Sequence, residues 1–168
     1  MSFFKRLAPL VIILITCLFS LGGCKHSAPE ITASATLSEI TQEEYNKIDD
    51  SSKPEGVTID DLKKLYIDVK ITNSKEATER RITISNLYII DKYNKVRTIC
   101  GGTSEQNNIG TEDTAESMAY IIFDGRGLSE KDLRNLYKES KIYIAYKLKD
   151  GNLVERILSV GNNLVFNN

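Results

Sequence analysis

The sequence has few of the residues from which catalytic and metal sites are usually built. Its 168 residues include one histidine, three cysteines and no tryptophan. Lys and Arg number 22 against 23 Asp and Glu, so the formal net charge is −1 and there is no basic excess to bind nucleic acid. A hydrophobic share of 41% and a charged share of 27% exclude a wholly disordered chain and a polytopic membrane protein.

The N-terminal segment has the layout of a secretory signal. Lys5 and Arg6 precede an apolar run, LAPLVIILITCLFSL, at residues 7–21. That run is shorter than the roughly 20 apolar residues that span a bilayer as a helix. We therefore predict that residues 1–23 are an export signal.

The signal ends in a short motif that resembles the bacterial lipobox, the processing site of lipoproteins: Leu21, Gly22, Gly23 and Cys24. The resemblance implies cleavage between Gly23 and Cys24, a diacylglyceryl group on the Cys24 thiol, and a cell-membrane anchor at the extracytoplasmic face. Two acyl chains suit stable anchoring because a single chain gives only marginal, reversible binding. An ordinary signal peptide or an uncleaved anchor, with Cys24 incidental, is the alternative interpretation.

The processed chain would begin with the lipidated Cys24 and a short tether, residues 24–30. Six residues reach about 20 Å at full extension, so the folded part is expected close to the membrane. Processing removes Cys17 and lipidation consumes Cys24, which leaves Cys100 as the remaining thiol and excludes an internal disulfide. His26 lies in the tether, where we expect a solvated linker residue and not a metal ligand.

Residues 31–168 have the pattern of a single domain made of short strands. Apolar and polar residues alternate most clearly at 65–72, where Leu65, Ile67, Val69 and Ile71 share one side. Further strands are predicted at 31–40, 81–90 with a bulge near 85–86, 96–100, 119–123, 142–148 and 153–160. Asp150 and Gly151 favour a tight hairpin turn between the last two of these.

The connecting segments differ in the strength of their signals. Ser129, with Asp132 three residues later, predicts the N-terminus of one short helix at 129–139. Residues 41–50 are polar and ambiguous between a helical turn and an edge extension. Residues 101–113 are predicted to form a long loop. Residues 161–168 are interpreted as a loose end in which 164–166 could extend a sheet.

About seven strands that are not separated by regular helices predict a mainly β fold. An antiparallel sandwich is expected, with a small closed barrel as the alternative. The segments YIDVKITNSKEA, ITISNLYIIDKYN and AYIIFD, within residues 65–148, resemble the immunoglobulin-like domains of Gram-positive secreted lipoproteins. That resemblance implies a binding or spacing module, and it transfers no catalytic residue.

Three groups of residues were weighed as chemical sites. Cys100 is a candidate nucleophile, but no general base is close in sequence. The acidic pairs at 49–50, 60–61 and 112–113 lack the spacing of a calcium loop and are expected to be solvated. Tyr66 and Tyr143 are predicted to lie exposed, opposite the aliphatic faces of their strands, where tyrosine is favoured for recognition. The alternative is that tyrosine is there for its high β-propensity and covers sheet edges.

These observations predict a lipid-anchored extracytoplasmic lipoprotein that is not an enzyme and needs no cofactor or metal. The expected partners are the membrane, through Cys24, and a protein or envelope component close to it. One alternative is a surface inhibitor or exclusion lipoprotein that blocks an incoming factor. A second alternative is an enzyme that uses Cys100 or the loop carboxylates.

Overall fold

The computed structural model describes residues 28–93, 95–106 and 113–167. Eight strands fill most of these ranges: β1 (Glu30–Glu39), β2 (Leu62–Thr72), β3 (Ala77–Ile84), β4 (Thr98–Gln106), β5 (Ala115–Asp124), β6 (Lys141–Leu148), β7 (Leu153–Ser159) and β8 (Leu164–Asn167). Two short helices accompany them, α1 (Gln42–Lys47) and α2 (Glu130–Leu136). No helix within the described ranges is long and apolar enough to cross a membrane.

The strands form two sheets that pack face to face. One has five strands in the order β4-β5-β2-β1-β8, and the other has three in the order β3-β6-β7. All neighbours are antiparallel except β1 and β8, which are parallel. Without β8, this is the four-plus-three strand order of a constant-type immunoglobulin domain. The antiparallel immunoglobulin-like sandwich is therefore confirmed, with an eighth strand added at one edge.

The core follows from the alternation along β2. This strand pairs with β1 from Lys63 to Thr72 and with β5 from Leu62 to Ile71. Its inward side chains are fully buried against those of the other sheet, because successive residues of a strand point to opposite faces. The fully buried side chains on the two inner faces include Leu65, Ile67, Val69, Ile71, Ile142 and Ile144.

The connection from β5 to β6 contains the predicted late helix. The Ser129 hydroxyl accepts from the backbone N–H of Asp132, while the Asp132 carboxylate accepts from the backbone N–H of Ser129, which completes a capping box. After α2, the buried Tyr137 donates its hydroxyl to the Leu87 carbonyl at 3.0 Å. This bond ties the α2 segment to the connection between β3 and β4.

The strand prediction at 81–90 is correct only as far as Ile84. Residues Leu87–Lys92 form a 3-10 helix. The Asn86 side chain accepts from the Tyr88 backbone N–H at 2.8 Å and starts the turn. Leu87 and Ile90 are both buried at a spacing of three, which suits a helical turn and not the spacing of two along a strand.

The predicted loop at 101–113 is also wrong in its first half, because β4 continues to Gln106. Gly101 pairs with Ile121, and Gly102 pairs with Tyr120. A Cβ at Gly101 would lie 2.7 Å from the Tyr120 carbonyl oxygen, so glycine permits this close strand approach. The two glycines therefore admit a neighbouring strand and do not begin a loop.

Two segments with ambiguous signals acquire regular structure. Residues 42–47 form α1, which begins with a capping box between Thr41 and Glu44. Residues 164–167 form β8, and the buried Leu164 sits opposite Ala35 of β1 in parallel register. The C-terminal segment is therefore part of the sheet, so the loose-end interpretation is wrong and the alternative, that 164–166 extends a sheet, is correct.

A buried carboxylate closes one end of the five-stranded sheet. The Asp124 side chain is 1% exposed and accepts from the Arg126 guanidinium at 2.8 and 2.9 Å and from Lys95 Nζ at 3.0 Å. Arg97 donates to the Asp124 and Arg126 carbonyls, which holds the same corner together. The hydrogen bonds from Arg126 are the main reason that the Asp124 pKa lies far below its usual range.

We expect Asp124→Asn to lower the free energy of unfolding by about 2 kcal/mol at pH 7, because hydrogen bonds to a buried charged group are lost. A depressed pKa stabilises the fold above the unfolded pKa of about 3.9, and this contribution is lost as pH falls below it. In urea titrations, the difference in the free energy of unfolding between wild type and variant should therefore become smaller below about pH 4. The exposed Asp60→Asn is the control, and an equal loss in both variants would contradict this role.

Candidate recognition surface

The outward side of the five-stranded sheet carries a band of hydroxyl, aromatic and small residues. Strand register places Thr36 of β1, Tyr66 of β2, Tyr120 of β5 and Gly102 of β4 in one row across the sheet. Tyr66 and Tyr120 are half-buried and directly opposite each other. We call this row and the outward residues beside it the outer face.

The two tyrosines are held by specific contacts. Tyr66 donates its hydroxyl to Met118 Sδ at 2.8 Å. Lys64 Nζ lies 5.6 Å from the centroid of the Tyr66 ring and 5.3 Å from that of Tyr120, within cation–π range. A Cβ at Gly102 would lie 2.9 Å from the Tyr120 ring, so the ring rests directly on the Gly102 backbone. Both rings are therefore held in place before any partner arrives.

A groove of about 610 Å³ continues the outer face toward α1. Ile48, Ile99 and Ile122 supply apolar lining, and the Glu44–Lys64 ion pair, at 2.6 Å, lies at its side. The groove exists because residues 40–62 pack a small second cluster on the outward side of the sheet, with Ile40, Ile48, Leu62 and Ile122 buried. Tyr120 and Lys64 also line the groove, so the tyrosine row and the groove form one continuous surface.

Cys100 lies in this groove without the setting of a nucleophile. The thiol is half-buried, and burial is the main cause that raises its pKa, with the Glu44 carboxylate as a further cause. A raised pKa reduces the thiolate fraction at neutral pH, and the thiolate is the reactive form. This environment favours an unreactive thiol as part of the groove wall.

The acidic pairs act locally as caps where the structure describes them. Asp49 accepts from the Ser51 hydroxyl and backbone N–H, and these bonds lower its pKa. Asp61 accepts from the Thr58 backbone and hydroxyl, with the same effect on its pKa. Within the described ranges, no three His, Cys, Asp or Glu side chains are grouped closely enough to hold a metal ion. Glu112 lies outside those ranges.

The turn at 149–152 and Asp113, the last residue of the predicted 101–113 loop, lie at the end of the sandwich where β1 begins. Glu30, the first residue of β1, pairs with Thr72 at the end of β2, and Ala77 of β3 pairs with Leu148 of β6. Lys149 donates its backbone N–H to the Glu76 carbonyl, so the turn at 149–152 is also at this end. Asp113 joins them through the bond from Ser74 N–H to its carbonyl.

The tyrosine predictions are only partly correct. Tyr66 and Tyr143 do point away from the core, but both are half-buried, and Tyr143 donates its hydroxyl to Glu155. Sequence reasoning missed Tyr120 and Gly102, because their proximity to Tyr66 depends on the order of the strands. The signal peptide, lipobox residues Leu21, Gly22, Gly23 and Cys24, and His26 lie outside the described ranges.

No family model, curated protein sequence or solved structure matches the chain. The strand order establishes the immunoglobulin-like architecture on its own. Membership of a lipoprotein family stays a prediction from the lipobox.

We expect Cys100 to alkylate slowly with iodoacetamide at pH 8, because its raised pKa and partial burial both reduce the accessible thiolate. The measurement uses full-length protein with Cys17→Ser and Cys24→Ser, so that Cys100 is the one thiol left. Unfolding the same protein in urea should raise the rate, because the thiol is then exposed and its pKa returns toward the ordinary value. A folded rate equal to the unfolded rate would mark Cys100 as reactive.

Proposed function

We propose that this protein is a lipoprotein anchored through diacylglyceryl-Cys24 at the extracytoplasmic face of the cell membrane. We further propose that its sandwich binds a protein or envelope component through the outer face and that it is not an enzyme. The observation that carries the binding proposal is the row formed by Thr36, Tyr66, Tyr120 and Gly102. Tyrosine among small residues offers a large, stiff, amphipathic contact at low conformational cost.

The position of the tether supports the outer face over the turns as the binding site. Because β1 begins at Glu30, a tether of residues 25–29 keeps the fold within about 20 Å of the bilayer. The turn at 149–152 lies at the tether end, where the membrane restricts access. The groove beside α1 lies at the opposite end, where β1 finishes and β2 begins. A partner arriving from outside therefore meets the groove and the outer face first.

The anchor can be tested by metabolic labelling with a radioactive or alkyne-tagged fatty acid. Because the lipid bonds to the Cys24 sulfur, Cys24→Ala should abolish labelling and leave an unprocessed precursor. Cys17→Ala is the matched control in the same signal and should be labelled normally. Label retained in the Cys24→Ala protein would refute the anchor without bearing on the outer face.

The binding surface can be tested by in-cell crosslinking from a photoreactive residue at Ser34, which is exposed on the outer face beside Asp68. We expect one discrete adduct, identified by mass spectrometry, and none from the same residue at Val96, which is 76% exposed elsewhere. Replacing Tyr66 and Tyr120 with Ser should reduce the adduct about tenfold or more, since tyrosine anchors contribute 2 kcal/mol or more to binding.

Thermal melts of the crosslinking variants provide the folding control for this experiment. The tyrosine variant is informative when it still unfolds cooperatively, because loss of the adduct then reports the surface. An adduct of undiminished yield without the tyrosines would contradict the outer face as the binding site.

A further inference from the structure

One edge of the three-stranded sheet carries a row of backbone groups that pair with no other strand within the described ranges. The Leu148 N–H donates to the Asn152 carbonyl at 2.8 Å, and the Val160 N–H donates to the Ser140 carbonyl at 2.9 Å. Hydrogen-bonded pairs alternate along antiparallel strands, so the even-numbered residues of β7 bond to β6. The N–H and C=O groups that point away from the sheet belong to Leu153, Glu155, Ile157 and Ser159.

This edge lacks the bulge, the register shift or the short length that protects each of the other edges of the sandwich, and its charged residues are Glu155 and Arg156. On β3 the register shifts between Thr78 and Arg81, and Glu79 there has a φ of 51°. β8 has only four residues, and β4 has a register shift near its start. β7 pairs with β6 in unbroken register over seven residues and contains neither Lys nor Pro. A long edge strand with regular pairing can accept a strand from another chain.

The side chains beside the edge form a simple pattern on the sheet's outward side. Leu153 is 61% exposed and Ile157 is 64% exposed. Glu155 lies between them and accepts from the Tyr143 hydroxyl across the strand pair. The free edge therefore presents an apolar, an acidic and an apolar side chain at a spacing of two residues.

Pairing of β7 with a second copy of itself meets an obstacle in each suitable register. Because the outward groups belong to odd-numbered residues, antiparallel registers that pair at least five residues are centred on 155, 156 or 157. The register centred on 155 places Glu155 directly opposite Glu155 of the second copy, and the register centred on 156 does the same for Arg156. Like charges directly opposite each other are destabilising. The register centred on 157 requires a hydrogen bond to the Ser159 carbonyl, which already accepts from Asn163 Nδ2 at 2.7 Å.

We propose that the β7 edge accepts an extended segment of another protein as an added strand, with a Lys or Arg side chain opposite Glu155 and apolar side chains opposite Leu153 and Ile157. The backbone groups of these residues supply the hydrogen bonds, and the side-chain pattern supplies the specificity. The basic residue matches the carboxylate, and the flanking apolar residues cover the two exposed aliphatic side chains. This edge is separate from the outer face, so either proposal can fail without the other.

Two peptides with the sequences TVTKTVT and TVTETVT test the pattern, because they differ only in the charge opposite Glu155. Each is titrated against full-length lipoprotein in detergent micelles by fluorescence anisotropy. We expect the lysine peptide to bind about tenfold more tightly, as cross-strand charge pairs of opposite and like sign differ by about 1–1.5 kcal/mol. Bound lysine peptide should also slow hydrogen exchange of the Leu153, Glu155 and Ile157 amides.

Charge reversal provides the sharper comparison. Glu155→Lys should invert the preference so that the glutamate peptide binds more tightly, and Ile157→Lys should weaken the lysine peptide about tenfold or more. Val96→Lys adds the same charge at an exposed apolar residue outside the three-stranded sheet and should leave both affinities unchanged. Equal affinity for the two peptides, or no protection of the three amides, would overturn the proposal. Self-association through β7 would overturn it in favour of a second copy.

Discussion

The rest of the sandwich depends on the pairing of β2 along its whole length on both sides. Its register with β1 and β5 fixes which side chains face inward, and a shift of one residue would exchange the two faces. Four fully buried aliphatic residues on its inner side make such a shift costly. The same strand pairing that builds the core therefore also fixes the spacing of the residues on the outer face.

This constraint separates the residues that stabilise the fold from those available for recognition. Inward side chains of β2 and β5 are committed to packing, whereas Tyr66 and Tyr120 lie outside the main core, with Tyr120 against the edge of the second cluster. The small second cluster beneath α1 covers only the far end of the outward side. The sheet thus leaves its middle accessible, and the two rings, held by Lys64, Met118 and Gly102, lose little freedom when a partner binds.

Much of this architecture could be predicted from local patterns. The alternation at 65–72, the Asp-Gly turn and the Ser129 capping signal each depend on neighbours within one element, and each was confirmed. The wrong predictions fall where contacts with residues distant in sequence determine the local structure. Gly101 and Gly102 belong to a strand because β5 pairs with them. Residues Leu87–Lys92 form a 3-10 helix whose Leu87 and Ile90 side chains are buried in the core. The tyrosine row and the β7 edge were not predictable, since both require the order of the strands.

The two proposed surfaces suit different kinds of partner. The outer face presents side chains whose backbone is already paired on both sides, so recognition there rests on shape, stacking and hydroxyl contacts. The β7 edge presents backbone groups first, so it accepts only a segment that can become extended. A folded partner suits the face, and a flexible terminus or linker suits the edge. Because the surfaces belong to different sheets, one domain has room to hold a folded body on the five-stranded sheet and an extended segment on the three-stranded sheet.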